Sequence, residues 1–215
     1  MSRDTVDRCL GTSLHFGPRR GECDGVLAGV KAGALRVACE QARSWRDAGR
    51  DVPVRWALTP SQAADPDLHA VVREALSDTG LPAASLRLGV PGQALFGRGP
   101  VTARGEAADN LGYLAEERIG IEVEDFTAAP DDLARLLDGV PVRAVRVAQS
   151  PAARPGSAVA RVLAGVVGVV RDAGIGVTAA GVTTREQARW WREVGADTAS
   201  GPLFAPAGPP DVITR

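Results

Sequence analysis

The stretch Ile121-Glu122-Val123-Glu124-Asp125-Phe126 reads as a short, buried strand that ends in two adjacent carboxylates. In a parallel βα architecture, the C-terminal ends of the strands are where ligand-binding and catalytic side chains collect. Outward from this stretch, short apolar runs alternate with helical patterns in both directions, the signature of βα units feeding a parallel sheet. Strands are predicted at 13–16, 25–30, 52–58, 86–90, 119–124, 142–147, 176–179 and 198–203. Helices are predicted at 34–48, 106–117, 131–137, 156–173 and 183–194, with another starting where Asp65 caps and Pro66 takes the first helical position.

Local signals support these assignments. Leu35, Ala38, Ala42 and Trp45 share one helix face, and Leu68, Val71, Val72 and Leu76 form a second such stripe. Thr183 followed by Glu186 has capping-box spacing. Gly49, Gly80, Gly139, Gly174 and Gly195 each stand just past a helical pattern, where a left-handed cap is expected. The run 96–105, rich in Gly and Arg, reads as an exposed loop. No linker-like segment interrupts the alternation, so the expected fold is α/β, a closed or nearly closed TIM-like βα barrel. With 215 residues it is shorter than the ~250 typical of such barrels. Residues 1–12 read as a flexible N-terminus, 13–204 as the barrel and 205–215 as a tail.

Composition narrows the function classes. A formal charge of -1 gives no electrostatic reason to expect nucleic acid or an anionic membrane surface. No apolar run reaches the roughly 18 residues a membrane span needs, and the charged start of the chain does not suit a signal peptide. Cys9, Cys23 and Cys39 are odd in number and lack metal-type spacing, which fits reduced thiols in a cytoplasmic protein. Heavy use of Ala and Arg suggests a bacterial source of high GC content.

The order of segments resembles the EAL family of cyclic di-GMP phosphodiesterases. The likeness runs from about Leu14 to Phe204 and is strongest in 35–48, 58–68, 121–126 and 177–187. It continues in Val194-Gly195-Ala196-Asp197 and Gly201-Pro202-Leu203-Phe204. The resemblance implies a modified barrel with an antiparallel first strand. It also implies a chemistry in which acids and an amide at the strand ends hold two divalent cations that activate water against a phosphodiester.

Carried over position by position, that donor set is depleted. The signature Glu-Ala-Leu falls on Lys31-Ala32-Gly33, and the family's Asn before Leu-Ser falls on Ala57. The Glu and Thr of Glu-x-Thr fall on Gly89 and Pro91, and Lys-x-Asp falls on Arg146-Val147-Ala148. The acid of Glu-Gly-Val-Glu falls on Ala180, the Gln of the last strand on Ser200, and the ligand-contacting Gln of the first strand on Gly17. The Asp-Asp-Phe motif alone is well kept, as Glu124-Asp125-Phe126. A helix-containing stretch that follows the signature strand in the family is missing here, because Gly33 runs straight into the next helix.

The expectation is therefore a catalytically inactive EAL-like domain that serves as a regulatory or protein-interaction module, with no metal and no cofactor. Glu124, Asp125, Arg146 and Lys31 are the candidate ligand-binding residues of a relict mouth, with Lys31 or Arg146 neutralising the carboxylates where metals would sit. At an effective dielectric of 20, such a contact near 4 Å is worth about 4 kcal/mol before desolvation. Strand alternation alone would place only one of Glu124 and Asp125 in that mouth. Trp190 and Trp191 are interface candidates, because adjacent helical residues point about 100° apart and one of the two is free to reach the surface. A protein partner or a homodimer is expected. A non-hydrolysing cyclic di-GMP receptor and a barrel enzyme with new chemistry are the lesser readings.

Overall fold

The structure, a computed structural model, describes residues 14–16, 28–51, 53–97, 101–126, 130–139, 141–148 and 156–204. The termini 1–12 and 205–215 lie outside the described residues. The chain divides into two compact units, one built from 13–123 with 138–142 and the other mainly from 124–137 and 143–215.

In the first unit, β1 (Leu14–Phe16) is followed by α1 (Ala28–Asp47), β2 (Val54–Ala57), the single turn α2 (Pro60–Ala63) and α3 (Leu68–Thr79). After a 3₁₀ turn come β3 (Leu86–Pro91), α4 (Gly92–Phe96), α5 (Val101–Glu116) and β4 (Gly120–Glu124), whose last residue belongs to the second unit. β1, β2 and β3 are parallel, with Leu14 opposite Val54 and Val54 opposite Leu86. Helix α1 turns Leu35, Ala38, Cys39, Ala42 and Trp45 inward at helical spacing and packs against α3, which buries Leu68, Val72 and Ala75. On the strands, Val54, Trp56, Leu86, Leu88, Val90, Ile121 and Val123 are buried. The alternate residues Arg55 and Glu122 are also buried, so both strand faces are covered, as parallel sheets require.

The second unit runs α6 (Pro130–Asp138), β5 (Ala144–Ala148), α7 (Ala158–Asp172), β6 (Gly176–Ala180), α8 (Arg185–Glu193) and β7 (Thr198–Ser200). Its three strands are also parallel and lie in chain order. Ser157 caps α7 by accepting the Ala160 amide at 3.1 Å. The Asp197 carboxylate accepts the Val177 amide at 2.8 Å, while its own amide donates to the Val177 carbonyl at 2.9 Å. That pair carries the β6–β7 ladder one residue beyond the strand. Beyond β7 the chain turns at Gly201, whose φ of +150° few L side chains adopt. A Cβ there would fall 2.3 Å from the Val182 carbonyl oxygen, because Leu203 donates to that same carbonyl and Val182 donates to Ser200.

Several expectations need correction. The first strand is parallel to its neighbour, not antiparallel. The strand expected at 25–30 is helical from Ala28 onward, and a helix between two strands is the crossover that parallel pairing needs. Residues 25–27 lie outside the described residues. The loop expected at 96–105 is helical from Val101, because Ala107, Leu111 and Leu114 bury one face of α5 strongly enough to carry Gly105 in its first turns. Helix α3 starts at Leu68, later than expected, with Asp65 accepting the Asp67 amide in a turn before it. The capping box of α8 is Thr184 with Gln187, one residue beyond the expected pair, because Gln187 reaches back to the amides of both Thr183 and Thr184. An unanticipated capping box, Thr59 with Gln62, opens α2 with Pro60 at its first position.

Candidate functional site

In the second unit, Glu124 ends β4 half-buried, and Asp125, the next residue, is exposed with φ +51°. That left-handed conformation is one that Asp tolerates better than most residues. It turns the chain so that Phe126 is buried and its amide donates to the Arg146 carbonyl at 3.1 Å. The adjacent acids Glu124 and Asp125 are thus split by the backbone, with one half-buried at the strand end and the other exposed.

The register of β5, β6 and β7 puts two rows of residues abreast. Arg146, Thr178 and Thr198 form one row; Ala148, Ala180 and Ser200 form the next toward the C-terminal ends. Residues two apart on a strand share a face, so the two rows belong to one surface. Arg146 is only 9% exposed, and its Nη2 donates to Ser200 Oγ at 3.0 Å across the rows. The Thr178 and Thr198 hydroxyls are 2.7 Å apart and share a hydrogen bond. In these two rows the side chains are one guanidinium, hydroxyls and methyl groups. A guanidinium stays protonated at any working pH, so Arg146 cannot serve as a base.

The first unit repeats the arrangement with different residues. Ala57 lies opposite Gly89 at the C-terminal ends of β2 and β3, and Arg55 lies opposite Arg87 two residues earlier. Glu122 joins these two arginines from β4. Its Oε2 is 3.2 Å from Arg55 Nε and its Oε1 is 3.0 Å from Arg87 Nη1. The Glu122 and Arg55 side chains are each 3% exposed, and Arg87 is 27% exposed. Both carboxylate oxygens are engaged by guanidinium groups, so Glu122 is a structural anion here rather than a free ligand or base.

Sequence reasoning missed this cluster. The available signal was a charged residue flanked by apolar residues inside three strands, in Val54-Arg55-Trp56, Leu86-Arg87-Leu88 and Ile121-Glu122-Val123.

Lys31 lies within α1, not at a strand end, because the segment expected to form that strand is helical. Trp191 is 1% exposed and Trp190 half-buried, and their rings meet edge to face with centroids 4.8 Å apart. His69 pairs with Glu117 at 3.1 Å on the helical surface. Burial and the neighbouring Glu40 raise the Cys39 thiol to about 11, which keeps it protonated and unreactive at neutral pH. Among the described residues, no three His, Cys, Asp or Glu side chains gather closely enough to hold a metal ion, and no helix is long and apolar enough to cross a membrane.

The model of the EAL domain matches residues 22–207. Uncharacterized protein Rv1357c of Mycobacterium tuberculosis is 31% identical over 200 residues, covering 89% of this chain and 63% of that protein. The chain therefore spans less than two thirds of that relative. Among solved structures, the PaMucR phosphodiesterase in complex with c-di-GMP superposes with a TM-score of 0.75 at 22% identity, covering 86% of this chain and 73% of that one. The EAL domain of Mycobacterium smegmatis DcpA gives 0.74 at 21%, covering 86% and 82%. The EAL domain of Xanthomonas citri FimX, in complex with c-diGMP, gives 0.73 at 20%, covering 84% and 70%. The fold class is accordingly that of the EAL-type, TIM-like βα barrels, in shortened form.

Proposed function

The chain belongs to the EAL domain family, and from that premise we propose that it is a catalytically inactive member acting as a regulatory or protein-interaction module in the bacterial cytoplasm. The observation that carries this reading is the row Ala148–Ala180–Ser200, together with Ala57 opposite Gly89. Within each unit these residues fall at strand ends in register, at positions where the family resemblance asks for anionic and amide oxygen donors, and four of the five have no polar side chain.

The donor set does not fit a pair of divalent cations. Magnesium asks for about six oxygen ligands in near-octahedral geometry, several of them anionic, and calcium for six to eight. Among the described residues, the acids at these strand ends are Glu124, half-buried, and Asp125, which is exposed. Arg146, one row below Ala148, adds a guanidinium to the same strand surface rather than an oxygen donor. No step of hydrolysis is therefore routed through metals in this chain.

A protein partner, or a second copy of the chain, is the proposed target, with the half-buried Trp190 as a contact residue. A second reading, a receptor that binds cyclic di-GMP without cleaving it, draws support from the PaMucR and FimX structures, both solved with that nucleotide. Purified protein with cyclic di-GMP and millimolar Mg²⁺ or Mn²⁺ tests both readings. No linear product and no heat of binding are expected. Turnover would overturn the proposal, and saturable micromolar binding without turnover would promote the receptor. Trp190→Ala should weaken any self-association measured by sedimentation while leaving the far-UV spectrum unchanged.

A further inference from the structure

We draw no further inference here: the strongest candidate, the stripe of Val159, Val162 and Val169 exposed along helix α7, is an unpartnered apolar face, and nothing in the structure shows what covers it.

Discussion

Each unit buries polar side chains on its parallel strands, and the two do so with different chemistry. In the first, buried charge faces buried charge, with Glu122 held between Arg55 and Arg87. In the second, the hydroxyls of Thr178 and Thr198 satisfy each other, and Arg146 spends one of its donors on Ser200. The difference matters because the two arrangements fail differently. Removing the central carboxylate takes from buried Arg55 and partly exposed Arg87 the anion they share. Removing one hydroxyl leaves a small neutral group that still has some access to solvent.

The largest expected effect is therefore Glu122→Ala, which should lower unfolding free energy by about 3–5 kcal/mol in urea titrations. Replacing all three members together, as R55M/E122L/R87L, should recover most of that loss, since desolvation and pairing disappear together. If the triple variant were as unstable as the single one, packing rather than charge would explain the loss. On the other side of the comparison, Thr178→Val should cost only about 1–2 kcal/mol, and T178V/T198V less than the sum of its parts. A Thr178→Val loss as large as that of Glu122→Ala would erase the distinction between the units.

Smaller again is Thr184→Ala, expected to lose about 1 kcal/mol with the capping box of α8. Thr183→Ala should lose less, because Thr184, not Thr183, accepts the Gln187 amide. Equal losses from the two would return the cap to the position expected from sequence.

The smallest effect near neutral pH concerns Cys39. Its thiol is raised from 9.0 to about 11 in the fold, so between those values the unfolded chain gives up a proton that the native state keeps. Stability from this group is complete below pH 9 and declines as pH rises toward about 11. Cys39→Ala should remove that part of the alkaline decline in chemical-denaturation profiles, and Ellman's reagent should reach the thiol only after unfolding.

Much of the architecture was legible before any coordinates. The strands around Val54, Leu86, Ile121, Val145 and Val177 and the helices around Leu35, Val72 and Val167 lie where hydrophobic periodicity put them. The family resemblance placed Ala148, Ala180 and Ser200 at strand ends one by one, and the observed register sets them abreast. What failed did so for physical reasons. Residues 28–30 suit a strand or a buried helix equally well, and continuity with the long helix behind them decided the outcome. Val101–Gly105 carries weak local propensity, and tertiary packing of α5 overrode it. Arg55 and Glu122 drew no attention because a lone charge in a strand is usually solvated.

By itself, the sequence determined the alternation of elements and that Ala57, Gly89, Ala148 and Ala180 carry no oxygen-donor side chain, because periodicity and residue chemistry are local properties. Only the tertiary structure decided which charges meet. Arg55, Arg87 and Glu122 are separated by 32 and 35 residues along the chain, and strand register brings their side chains to one level of the sheet where each can satisfy the others. Pairing of that kind depends on distances in space, which residue order alone does not encode.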